Sequence, residues 1–174
     1  MPVVLSIVGR SNSGKTTLLE TLIPEVKRRG RRVAVVKHSM RDLDLDQPGK
    51  DSWRLARAGS DAVVVSAPRR IALIKKVERD HTLEELLGMI GDDYDLVLVE
   101  GYKHSRVPKI EVHRRVLGDL VCSPEELLAV VTDELLDVPV AQFSADQGVQ
   151  LADLIEDRFL AAASVGGRHD SHLG

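Results

Sequence analysis

Residues 9–16, Gly9-Arg10-Ser11-Asn12-Ser13-Gly14-Lys15-Thr16, fit the pattern G-x-x-x-x-G-K-[ST], and the flanking stretches restrict what such a loop can belong to. Before it, Val3–Val8 (VVLSIV) is a short β-branched run that ends at a glycine, which predicts a buried parallel strand. After it, Leu18, Leu19, Leu22 and Val26 recur at helical spacing over Lys15–Arg29, with Pro24 expected to kink the helix. Between a strand and a helix, the two glycines let the backbone wrap so that consecutive N–H groups point inward at phosphate oxygens, and the positive end of the helix adds to that field. Lys15 is then expected to reach the β- and γ-phosphates, and the Thr16 hydroxyl to take one position on Mg²⁺. Gly9, Ser11, Asn12, Ser13, Gly14, Thr16 and Thr17 are the remaining candidates for contact with the phosphates.

Such a site also needs an acidic residue at the end of a neighbouring strand, to hold the metal or its water shell. LVLVEG supplies Glu100 after the apolar run Leu96–Val99, whereas Asp95 sits at the opposite end of that run. A second acidic stretch, DLDLD, places Asp42, Asp44 and Asp46 at period two, so all point one way on an extended chain. It follows the predicted strand Arg32–Lys37, whose end should lie beside the phosphate loop. The three carboxylates are therefore candidates for the metal shell, and Lys50, after the Pro48-Gly49 turn, is a candidate for phosphate. Thr132-Asp133, after a further apolar strand, lies in the right order to read a base. An Asp that simply opens the next turn explains it equally well.

Composition narrows the classes. A chain of 174 residues fits one domain that needs no disulfide staple, and Cys122 is the only cysteine. With 24 Lys and Arg against 27 Asp and Glu, there is no basic excess to suggest nucleic acid or an anionic membrane as partner. The N-terminus MPVVLSIVG has no basic leader pattern, and no run approaches the ~20 apolar residues of a transmembrane helix. The cytoplasm is the expected compartment.

The remaining pattern alternates strand and helix. Further strands are expected at Ala62–Ser66, Ile71–Val77, Leu96–Val99, Lys109–His113, Leu128–Thr132 and Val138–Phe143. Helices are expected after Asp51 (as cap, over Ser52–Ala58, ended by Gly59), after the Thr82/Glu85 capping box, and over Asp146–Ala163. The prediction is an α/β, three-layer P-loop NTPase fold with a mostly parallel sheet flanked by helices. It covers one domain over residues 1–164, with a disordered tail over 165–174.

The combination GRSNSGKTTLL, VVKH, DLDLDQPGKDS, RLARAG, LVLVEGYK and PKIEVHR, in this order from Val3 to about Phe143, resembles the molybdopterin-guanine dinucleotide biosynthesis protein B (MobB) family. The resemblance implies a GTPase-like P-loop fold, GTP and Mg²⁺ as ligands with slow hydrolysis, and a homodimer. It also implies an accessory role beside the molybdopterin guanylyltransferase that converts molybdopterin into its guanine dinucleotide form, with molybdopterin itself as a further ligand. Under it, Lys15 and Glu100 take the catalytic roles. Two departures stand out: Ser39-Met40-Arg41 replace the further histidines often found after Lys-His, and no N-K-x-D guanine-reading motif occurs.

Other readings remain open. Lys103, Lys109, His113 and Arg114 could present a basic surface to a phosphorylated pterin, or KIEVHR could be a half-exposed strand with solvated charges. Trp53 and Tyr102 could stack on a ring or simply pack. A small P-loop kinase would need an arginine-bearing lid, and a metallochaperone-type GTPase would carry a His-rich tract or paired cysteines. Neither feature stands out in this chain.

Overall fold

Parallel strands buried on both faces need apolar residues on both, and the sequence supplies them in alternation. The computed structural model describes residues 1–39 and 46–161. Its strands β1 (Val3–Val8), β2 (Val33–Lys37), β5 (Leu96–Glu100), β6 (Lys109–Val112), β7 (Leu127–Val131) and β8 (Ala141–Phe143) form one six-stranded sheet in the order β2-β5-β1-β6-β7-β8, with every pairing parallel. Leu5, Ile7, Leu96, Leu98, Ile110, Val112, Ala129 and Val131 pack on one face against Leu18, Leu19, Leu22 and Val26 of α1 (Lys15–Arg28) and Leu151, Ala152 and Ile155 of α4 (Gly148–Ile155). The alternate residues Val36, Val97 and Val99 turn to the opposite face, where α3 (Leu83–Ile90) brings Leu83, Leu86, Leu87 and Ile90. Near β6 and β7 that face is covered by Leu120, Val121, Cys122, Leu136 and Val140. The result is the three-layer α/β arrangement expected, with α1 and α4 on one face and α3 on the other.

Helix α1 runs unbroken through Pro24, whose ring removes one donor from the ladder without ending it. It ends at Arg28 in a Schellman motif: the Gly30 N–H donates to the Lys27 carbonyl and the Arg31 N–H to that of Val26. A π-type turn over Glu156–Leu160 follows α4, and the tail expected over residues 165–174 lies outside the described residues.

By its internal contacts the chain divides into two compact units, one of residues 1–38 with 83–174 and one of residues 39–82. The second unit contains α2 (Asp51–Arg57) and the strands β3 (Ala62–Ala67) and β4 (Arg70–Lys75). These two strands were expected among the parallel ones. They instead form a separate antiparallel hairpin across Pro68-Arg69, because so short a connection can only reverse the chain. Asp51 is not the cap of α2; Lys50 is, and Asp51 supplies acid to the first turn. No helix among the described residues is long and apolar enough to cross a membrane.

Candidate nucleotide site

Strand β1 is central, and the chain leaves it for β2 on one side while β6 lies on the other. In an open parallel sheet, that reversal opens a crevice at the carboxyl ends of the strands. The loop of residues 9–14 begins there. Gly9 has φ +137°, and a Cβ on it would lie 2.3 Å from the carbonyl oxygen of Val112 on β6. Gly14 is left-handed (φ 101°, ψ 20°) and starts α1, and the exposed Asn12 adopts φ 64°. Asn tolerates that region better than most side chains. The Arg114 Nε–H donates to the Ser13 carbonyl (3.1 Å), so the strand end after β6 holds the loop from outside. Ser13 itself is fully buried, and its hydroxyl has no protein partner. The loop thus has the wrapped backbone and the orphaned buried donor that a bound phosphate would satisfy.

Around it the predicted side chains converge. The Lys15 ammonium folds over the loop and donates to the carbonyls of Gly9 (3.0 Å) and Arg10 (2.8 Å). Burial lowers its pKa; the nearby Glu100 carboxylate opposes that shift and Lys37 adds to it. The Thr16 hydroxyl donates to Glu100 Oε2 at 3.1 Å, and the Lys37 ammonium lies 3.3 Å from the same oxygen. Glu100 reaches the loop because β5 lies between β2 and β1, with Lys37 and Ile7 as its register partners. The backbone after it turns at once: Gly101 has φ 108°, its N–H donates to the Ile7 carbonyl (3.1 Å), and its carbonyl accepts from the Ser6 hydroxyl. Thr17 and Ser11 are exposed beside this cluster.

Other candidates fall elsewhere. Asp42 and Asp44 lie outside the described residues. Asp46 belongs to the second unit, and one of its carboxylate oxygens accepts from the Gln47 N–H. Lys50, in the same unit, is the exposed cap of α2. Among the described residues no group of three or more His, Cys, Asp or Glu is placed to hold a metal. Thr16 with Glu100 is therefore the one pair of predicted metal ligands brought together there. Asp133 is exposed after β7, and its Oδ1 accepts from the Arg115 N–H at 2.9 Å, a bond that lowers its pKa. The Thr132 hydroxyl is committed to the Glu134 carbonyl (3.0 Å). Thr132 and Asp133 line an open depression with Glu134, Leu135, Gln142 and Phe143.

Both sequence readings of KIEVHR need correction. Lys109 and Glu111, in a strand paired on both edges, and His113 just after it are buried. Lys109 pairs with Glu126 at 3.0 Å and His113 with Glu134 at 2.8 Å. Glu111 accepts the backbone N–H groups of Val121 (2.7 Å) and Cys122 (3.0 Å). Arg114 turns to the phosphate loop and only Lys103 is exposed, so the four do not form one basic surface. Sequence reasoning missed Lys37 and Ser6. Ser6 carried a signal, as a lone hydroxyl in an otherwise apolar strand; Lys37 resembled any charge at a strand end. Tyr102, at φ 50°, stacks its ring 4.5 Å from that of His38, and Trp53 lies under the Arg57 guanidinium.

Residues 4–133 match the family described as molybdopterin guanine dinucleotide synthesis protein B. A molybdopterin-guanine dinucleotide biosynthesis adapter protein of Haemophilus influenzae is 40% identical over 156 residues, covering 88% of each chain. Its Escherichia coli counterpart is 37% identical over 161 residues, covering 87% of this chain and 90% of that one. A crystal structure of molybdopterin-guanine biosynthesis protein B superposes with a TM-score of 0.68 at 34% identity, covering 89% of this chain and 97% of the other.

Proposed function

The chain belongs to the molybdopterin guanine dinucleotide synthesis protein B (MobB) family, and from that premise we propose that it is a GTP-binding adapter of molybdenum cofactor biosynthesis. In this reading it binds GTP with Mg²⁺, hydrolyses it slowly, and acts in the cytoplasm beside the guanylyltransferase that converts molybdopterin to its guanine dinucleotide form. The observation that carries the nucleotide half is the meeting of Thr16 with Glu100 at 3.1 Å beside a loop that turns at Gly9 and Gly14 and is covered by Lys15. Bound Mg²⁺ would screen the phosphate charges and polarise the terminal phosphoryl group. The residues' own tasks are separate. The loop amides and Lys15 would hold phosphate oxygens, Thr16 would offer a hydroxyl oxygen to the metal, and Glu100 accepts the hydrogen bond of that hydroxyl or orients a water. One carboxylate and one hydroxyl form a sparse metal site, which suits an ion that keeps several waters and takes phosphate oxygens as well.

The adapter half comes from the relatives, whose names place them in guanine dinucleotide formation. The guanine preference and molybdopterin as a further ligand rest on the same likeness. Calorimetric titration with GTP and Mg²⁺ tests the nucleotide half: the wild type should bind, and Lys15→Ala should abolish binding. Unchanged affinity in that variant would remove Lys15 from the phosphate site. Single-turnover hydrolysis with and without the transferase and molybdopterin tests the adapter half, which expects the rate or the product yield to respond to the partner.

A further inference from the structure

Lys37 is the last residue of β2, and alternation decides where its side chain goes. Its neighbour Val36 enters the core on the α3 face, so Lys37 points to the α1 face. Glu100 follows the same rule, two residues beyond Leu98, and the two are register partners at the carboxyl edge. There one carboxylate oxygen, Glu100 Oε2, accepts from the Thr16 hydroxyl and faces the Lys37 ammonium. The Glu100 side chain is only 12% exposed, whereas that of Lys37 is 53% exposed on a flexible four-carbon stem. Of this pair, Lys37 is the partner free to move. An ion pair whose lysine is half exposed contributes little to stability, so its position at the phosphate loop needs another reason.

Resting on the nucleotide-binding reading above, we propose that Lys37 is a second phosphate-directed cation of this site, selecting a nucleoside triphosphate over a diphosphate. Without nucleotide it neutralises Glu100. A divalent cation beside Thr16 and Glu100 puts a second positive charge on the same carboxylate and repels the ammonium, while the terminal phosphate brings negative charge to the same edge. Lys37 then exchanges one anion for the other. Lys15, over the loop and expected to reach the β-phosphate as well as the γ-phosphate, contributes to the binding of both nucleotides. Lys37 approaches from β2, the far side of Glu100 in the sheet order.

The test is calorimetric titration of wild type, Lys37→Gln and Lys37→Arg with GTP and with GDP, each with and without Mg²⁺. A charged hydrogen bond confined to the terminal phosphate predicts that Lys37→Gln lowers the GTP-to-GDP affinity ratio about tenfold or more in Mg²⁺. GDP affinity should change less than about twofold, and Lys37→Arg should retain most of the preference. An equal loss for both nucleotides would make Lys37 merely structural and overturn the proposal, as would an unchanged ratio. If wild type bound neither nucleotide, the nucleotide reading itself would fall. That outcome differs from a wild type that binds both while Lys37→Gln leaves the ratio intact.

Discussion

At the residue scale, two positions in the phosphate site have separable consequences. Glu100→Gln keeps the shape and an acceptor oxygen but removes the charge. We expect single-turnover GTP hydrolysis to slow by on the order of 100-fold while GTP affinity falls far less. Equal turnover in a rapid-quench measurement would take Glu100 out of the chemistry. Gly9→Ala acts differently, since its Cβ would meet the Val112 carbonyl at 2.3 Å in a backbone conformation that side chains rarely adopt. The loop must shift, and nucleotide affinity should drop by on the order of 100-fold with helix content retained by circular dichroism. Gly9, Gly14, Lys15 and Thr16 were legible in the sequence because one motif of fixed spacing names all four, and Glu100 because it ends an apolar run that reads as a strand. Lys37, and the hold of Arg114 on the loop in place of a basic surface, were not, because they depend on which strands are neighbours, and strand order is not written at any single residue.

At the element scale, α1 is fixed to the sheet by its apolar face and to α4 by charge. Leu22 is fully buried between them, and Leu22→Ala should cost about 2–5 kcal/mol in a denaturant titration. Arg29 links Glu25 to Asp153 of α4, while Arg31 pairs with Glu156 just beyond that helix. Hydrogen bonds from Arg28 and then Arg29 hold the Glu25 carboxyl at about 2, well below its ordinary value of 4.5. A depressed carboxyl contributes stability above its unfolded value and loses it as pH falls through the folded one. Stability should therefore decline between pH 4.5 and about 2, and Glu25→Gln should flatten that part of a pH-dependent unfolding curve. Helix α1 was readable from its leucine spacing. Strand β6 was misread for a physical reason: alternating charges look solvated, and only the fold shows that Lys109 and Glu111 are buried with partners brought by the segment of residues 121–126.

At the scale of the whole molecule, the hairpin of β3 and β4 leaves Val64, Ile71 and Leu73 exposed, and cross-strand pairing places them on one face. For the homodimer that the family resemblance implies, that patch is the surface to test. Sedimentation should show a dimer that Ile71→Asp weakens, and a monomer in the wild type at high concentration would exclude it. The layer architecture was legible from alternating strand and helix patterns, but the hairpin's separation from the sheet was not, since isolated β-branched runs do not declare their partners. The contact of Gly9 with β6, and the hold of Arg114 on Ser13, have a thermodynamic consequence. A ligand that stabilises the loop also stabilises the strand against which the loop is wedged. At a hundred times its dissociation constant that linkage amounts to about 2.7 kcal/mol. Amide hydrogens of β6, and of β7 one strand further from the loop, would then exchange more slowly when the site is filled, making the interior of the sheet a reporter of its occupancy.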